Sequence, residues 1–292
     1  MSAIRGQLPS IAASAALVQP FLNERGFRAY FLAAQSSQLG STIESVAIGW
    51  QIYSLRHSAF DLGMVGLTLF LPQLLLALPA GMLADRLDRR RICLGATAAE
   101  IVALLLFVAL VRSGSVARLA YFGAIALVGC ARALAIPAER ALLVGVVSPS
   151  NFVRATALTT SVEQLVRVAG PLLGGGLIAA SATIAFAAAA VSFAVASIAL
   201  FLLPAPDLEK GDDEKLEWRS AMDGILFILN AKVMLGAISL DLFAVLFGGA
   251  VALLPIYAVQ ILHVGPAGYG LLRAAPAVGA GTMAAAIAGR PI

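Results

Sequence analysis

The stretch Gly81-Met-Leu-Ala-Asp85-Arg86-Leu-Asp88-Arg89-Arg90-Arg91 decides how this chain folds. Six of the seven residues from Asp85 to Arg91 are charged, and this knot is wedged between two long apolar runs, 62–84 and 92–111. A soluble domain has little use for so dense a charged turn between two segments of membrane-spanning length. A chain that crosses a bilayer twice needs one, and the excess of arginine assigns the turn to the cytoplasmic side.

Composition agrees. Of 292 residues, 60% are hydrophobic and 12% charged, and the mean hydropathy is +0.93. Soluble domains carry about 25% charged residues, so the bulk of this chain belongs in a bilayer. The net charge of +4 does not point to nucleic acid, because the cations gather at segment ends and form no stripe interleaved with aromatics. Cys93 and Cys130 are too few and too isolated for a disulfide framework or a metal cluster, and no metal or cofactor is expected.

A span needs about 20 apolar residues, and eight segments qualify, at about 27–55, 60–84, 92–111, 117–137, 155–180, 182–203, 233–260 and 267–289. Helices are the expected spanning structure, because they satisfy their backbone polar groups internally. Arg28, Arg86, Arg89, Arg90, Arg91, Arg140, Arg154 and Lys210 fall on one side; Arg56, Arg112 and Arg118 fall on the other. The richer side is cytoplasmic by the same charge rule. The expectation is a multi-pass protein of the plasma (inner) membrane with a cytoplasmic N-terminus.

The domain plan follows from the polar intervals. Residues 1–26 read as a cytoplasmic lead-in, 27–204 as a six-helix bundle, 205–220 as an acidic and basic cytoplasmic linker, and 221–292 as two helices of a second bundle. A faint repeat supports this plan. Gly66-Leu67 with Pro72 matches Gly270-Leu271 with Pro276 at an offset of 204 residues. Parallel six-helix repeats are a known transporter architecture.

The motifs resemble the major facilitator superfamily. Gly81-x-x-x-Asp85-Arg86-x-x-Arg89-Arg90 is similar to its signature between helices two and three. Asp88 stands where the family usually has glycine, a departure common in the enterobactin-exporter-like branch. Ala131-Arg132 through Pro137-Ala138-Glu139-Arg140, Arg167-Val-Ala-Gly170-Pro171-Leu-Leu-Gly174-Gly175, and Leu240-Asp241-Leu-Phe243 through Pro255 resemble segments of the same branch, in order. The resemblance implies an all-α membrane protein of the superfamily type, with about 8 of an expected 12 helices in two six-helix bundles around a substrate cavity. It implies alternating access with protons as coupling ion, a small-molecule substrate, no enzymatic activity and action as a monomer. At the repeat offset the second copy of the knot begins near Gly289-Arg290. A C-terminally truncated, transport-inactive fragment is therefore the alternative expectation.

Charged residues deep in a bilayer cost at least about 2.5–3.5 kcal/mol each, and so face a partner or a wet cavity. Glu44, Glu100, Arg132, Glu163, Arg167, Asp241 and Arg273 qualify. Ser37, Ser41, Glu44 and Ser45 recur at helical spacing, with Gln38 on their shoulder. That stripe suits a cavity lining in which Glu44 holds a proton or meets a cationic group; the plainer reading is a hydrogen-bonded seam between helices. Glu163 and Arg167 are spaced for an intrahelical ion pair or a coupling pair. Arg132 can partner Glu163 or Glu100, and the spacing does not decide. Gly170-Pro171 interrupts the helical hydrogen-bond ladder, and Gly174 and Gly175 permit close helix approach, so a bend and a tight contact are expected there. For the knot, the resemblance implies that Gly81, Asp85, Arg86, Arg89 and Arg90 latch the cytoplasmic ends of the two bundles. Anchoring by positive charge alone is the plainer reading. No G-x-S-x-G elbow, H-E-x-x-H or phosphate loop occurs.

Overall fold

A computed structural model describes residues 25–204, 231–236, 239–240 and 249–288, and every regular element among them is helical. Six long helices follow in order: α1 (Arg25–Arg56), α2 (Ala59–Arg86), α3 (Arg89–Arg112), α4 (Arg118–Val146), α5 (Phe152–Ala180) and α6 (Ala182–Phe201). Next comes a short irregular element, α7, which is 3₁₀ over Gly249–Leu253, α over Leu254–Ile256 and π over Tyr257–Ile261. The last is α8 (Pro266–Ala288). Residues 1–24 of the expected lead-in, the 205–220 linker, Asp241 and Gly289-Arg290 lie outside the described residues; α1 takes in the lead-in's last two residues, Arg25 and Gly26.

Helix ends follow local chemistry. Ser58 begins α2 by accepting from the Asp61 amide at 3.3 Å, Asp88 begins α3 by accepting from the Arg90 amide at 2.9 Å, and Ser181 begins α6 by accepting from the Thr183 amide at 3.2 Å. Each satisfies a donor that the first turn leaves without a helical partner. At about 1.5 Å rise per residue, all six helices can cross a hydrocarbon core of about 30 Å. By apolar composition as well as length, α2, α3, α4 and α6 qualify as spans; α1 and α5 have the length, but polar residues interrupt them.

Two expectations need correction. The sequence predicts a fourth span at 117–137, yet α4 continues through Pro137 to Val146. The missing proline N–H costs only one hydrogen bond of the ladder, and the turn beyond it packs: Ala138 and Leu142 are buried. The sequence predicts a seventh span as one run over 233–260, but the described part from Gly249 onward passes through three helix types.

The bundle packs by halves. α1 lies against α5 and α6, α4 lies against α2 and α3, and α3 meets α6. Exchanging α1–α3 with α4–α6 maps this set of contacts onto itself. Three crossings reverse direction, so the two triplets form an inverted repeat of the kind nested inside transporter bundles. The six-helix repeat also leaves a mark on the backbone. Among the described residues, the non-glycine positions with positive φ are His57 (52°) and His263 (51°). They occupy the turns before α2 and α8, within two residues of the 204-residue offset.

Two apolar clusters hold the bundle. One, toward the α1 C-terminal end, includes Val46, Ile48, Leu104, Phe107, Tyr121, Phe186 and Tyr269, with Phe107 and Phe186 stacked at 4.7 Å. The other, at the end bearing the charged knot, includes Phe27, Tyr30, Ile92, Leu142, Leu200 and Leu203. Outward faces such as Phe70, Leu74 and Leu75 of α2 are exposed, as lipid-facing residues are when all backbone polar groups are satisfied within helices.

Candidate functional site

A cavity of about 500 Å³ lies between α1, α4 and α5, with wall residues from α2, α3 and α6. Its residues come from the N-terminal halves of α1, α3 and α5 and the C-terminal half of α4, so it occupies the knot-bearing half of the bundle. The α1 stripe supplies Tyr30, Gln35, Ser37, Gln38 and Ser41; α4 supplies Arg132, Glu139 and Arg140; α5 supplies Thr159, Glu163 and Arg167.

The floor of the cavity is a three-residue ion cluster. Arg132 of α4 donates from Nη2 to Oε2 of Glu44 on α1. Its Nε lies 3.6 Å from Oε1 of Glu100 on α3, close enough for charge attraction and too far for a hydrogen bond. Glu44 is 0% exposed and Glu100 4%. One oxygen of each carboxylate, Oε1 of Glu44 and Oε2 of Glu100, finds no hydrogen-bond partner. The cluster carries two carboxylates for one guanidinium, and is one positive charge short of neutrality. A buried charge without compensation costs several kcal/mol.

The stripe is split by the fold. Ser37, Gln38 and Ser41 face the cavity, and Glu44 lies behind Arg132. Ser45, further round the helix, accepts from Arg273 Nη2 of α8 at 3.2 Å, while Arg273 Nη1 donates to the Tyr269 hydroxyl at 3.0 Å. Arg273 thus ties α8 to α1. Glu163 and Arg167 pair within α5 at 2.6 Å, the intrahelical alternative. Arg132 belongs to Glu44 and Glu100 rather than to Glu163.

α5 runs through Pro171 as a continuous helix, and its glycines serve two neighbours. A Cβ on Gly174 would press on Ile43 and Val46 of α1 at 3.2–3.3 Å, and one on Gly170 would collide with Thr42. A Cβ on Gly175 would lie 2.7 Å from the Pro266 carbonyl oxygen and 2.8 Å from the Gly270 Cα. Gly175 and Gly270 therefore let α5 and α8 touch backbone to backbone.

Two arginines of the knot find partners within the first bundle. Arg89 donates to the Ala84 carbonyl at 3.4 Å and to the Ala141 carbonyl at 3.2 Å. Arg90 donates to the carbonyls of Leu200, at 2.8 Å, and Phe201, and lies over the Phe201 ring. The Ala84, Leu200 and Phe201 carbonyls belong to the last turns of α2 and α6, where cations are favoured by unpaired acceptors and by the helix dipole. Both arginines are engaged inside the first bundle; Arg86 and Arg91 stay exposed.

Sequence reading passed over Glu139 as a site residue, along with Tyr30 and Thr159. The signal for Glu139 is in the chain, at the α4 register Arg132, Ile136, Glu139, but Pro137 reads as the end of the span.

A polytopic helical bundle with a one-sided polar cavity and a buried ion cluster belongs to the class of membrane transporters. More particularly, residues 15–290 match the family of transmembrane secretion effectors of the major facilitator superfamily, and the chain belongs to that family. It is also similar to YfiS, an uncharacterized MFS-type transporter of Bacillus subtilis (strain 168), with 26% identity over 186 residues. That alignment covers 63% of this chain and 43% of the relative, so the matched region spans less than half the relative's length. The family is one of transmembrane transport rather than catalysis.

Proposed function

We propose that the chain forms the cavity-bearing part of a proton-coupled exporter of small hydrophobic or amphipathic molecules or a siderophore, acting as a monomer in the plasma (inner) membrane by alternating access. The observation that carries this reading is the Glu44–Arg132–Glu100 cluster at the cavity floor. Two carboxylates compete for one guanidinium away from water. A proton on either one releases part of Arg132's hold and brings the cluster to neutrality. Because the cluster joins α1, α3 and α4, such a change is transmitted to three helices. The end of α1 beyond it, packed against α5 and α8, supplies the contact that has to part for the cavity to face the other side.

The knot sets orientation in this reading: Arg28, Arg86, Arg91, Arg140 and Arg154 are exposed at one end, which is assigned to the cytoplasm. The test is uptake of a fluorescent amphipathic compound into everted membrane vesicles energised by a pH gradient. Uptake that collapses with the gradient supports proton coupling. Uptake indifferent to it removes the proton from the mechanism while leaving transport.

A further inference from the structure

Resting on the transporter reading, we infer that Arg273 of α8 is a positioning residue that carries the state of Glu44 to the sealed end of the bundle, by way of Ser45. Glu44 and Ser45 are neighbours in α1 and point about 100° apart round the helix. Glu44 is held by Arg132 of α4, and Ser45 accepts from Arg273 Nη2 at 3.2 Å. A rotation of α1 that moves the first side chain therefore moves the second, and shifts it against α8.

The joint is built from both sides. The Ser45 hydroxyl donates its own proton to the Thr42 carbonyl at 3.0 Å, which leaves lone pairs on its oxygen for the guanidinium. Arg273 Nη1 donates to the Tyr269 hydroxyl at 3.0 Å, one turn back on α8. That hydroxyl fills a notch at Gly49 of α1, where a Cβ would lie 2.6 Å from it. The Tyr269 ring is fully buried and lies 5.9 Å from the Trp50 ring. One guanidinium thus fixes the rotation of α1 against α8 and steadies the ring that plugs the seal. Both of its acceptors are neutral hydroxyls, and it forms no ion pair among the described residues. Parting Arg273 from Ser45 strands no carboxylate, whereas parting Arg132 from Glu44 does. The Ser45 joint is the weaker of the two and yields when α1 turns. Nor does the repeat demand it: 204 positions earlier the chain has Leu69.

The experiment is fluorescence quenching of Trp50 in the purified chain in detergent. Trp218 is replaced by phenylalanine, which leaves Trp50 as the sole tryptophan. The quencher is acrylamide, which is uncharged and so indifferent to loss of the arginine's charge. Arg273→Gln and Ser45→Ala are each expected to raise the Stern–Volmer constant by about twofold, because a charge-assisted hydrogen bond that holds the seal is lost. Glu44→Gln, which fixes the neutral form, is expected to raise it comparably. Glu44→Gln combined with Arg273→Gln should raise it no further, because the two act through one joint. Arg273→Lys, which keeps a cationic donor, should hold quenching near the parent value. A merely structural role for Arg273 would give additive increases and no rescue by lysine. Additive increases, or unchanged quenching in Arg273→Gln and Ser45→Ala, overturn the inference. Should Arg273→Gln fail to fold, Ser45→Ala with Glu44→Gln completes the same cycle. Driven uptake into everted vesicles judges the underlying reading separately: a wild type that moves no probe rejects the transporter, and one that transports while quenching stays unchanged in the variants rejects only the joint.

Discussion

The two ends of the six-helix bundle are made by the same helices and filled in different ways. Toward the α1 C-terminal end, Phe107, Tyr121, Phe186 and Tyr269 close the interior, and Gly175 and Gly270 bring α5 and α8 into backbone contact. Toward the knot, serine, glutamine and glutamate line a cavity of about 500 Å³, and arginines hold helix ends by their carbonyls. The ion cluster lies where the two fillings meet. In the proposed mechanism sealing depends on shape and opening depends on charge, so substitutions at each end ought to fail differently.

The largest effect is expected at the boundary. Arg132→Leu leaves two buried carboxylates unpaired, and removing one partner of a buried pair costs about 3–5 kcal/mol. Thermal unfolding in detergent should show this loss, and driven transport should vanish. Adding Glu44→Gln and Glu100→Gln to Arg132→Leu should restore most of the stability and none of the transport. Recovery of transport would mean that the cluster is only structural.

A smaller effect is expected at the sealed end. Gly175→Val forces side-chain atoms into the Pro266 carbonyl and Gly270, and overpacking costs about 1–3 kcal/mol. The strain is relieved when α5 and α8 separate, so the sealed end should open. With Cys93 and Cys130 replaced by serine, a cysteine placed at Ser45 should label faster with an impermeant thiol reagent in the Gly175→Val background. Equal labelling would show that this contact does not seal the cavity.

The smallest effect is expected at the knot. Arg90→Gln removes bonds to the Leu200 and Phe201 carbonyls and should cost about 1 kcal/mol, visible as a modest drop in melting temperature with transport largely kept. Loss of transport at unchanged stability would instead favour the latch between bundles that the resemblance implies.

The same contrast explains what the chain disclosed before its structure. Apolar runs and the arginine excess at 86–91 located the six helices, because burial in lipid leaves a one-dimensional record. The polar stripe of α1 revealed that one face is wet. Pairing could not be read, because Glu44, Glu100 and Arg132 come from three helices whose rotation is fixed only by packing. Spacing suggested the Glu163–Arg167 pair because both partners sit on one helix. Glu139 was missed for a local reason: Pro137 looked like a helix end, and α4 absorbs it. The knot arginines looked like surface charge, and only the convergence of α2, α4 and α6 shows them as caps.

The central claim is that Glu44, held by Arg132 at the cavity floor, couples the proton to transport. It is tested most directly by uptake of an amphipathic probe such as ethidium into everted vesicles bearing the wild type or Glu44→Gln, with the pH gradient imposed and then collapsed. The wild type should accumulate the probe and release it on collapse. Glu44→Gln should equilibrate the probe at the same rate with and without the gradient. Wild-type accumulation that survives collapse, or a Glu44→Gln variant that still follows the gradient, would contradict the account.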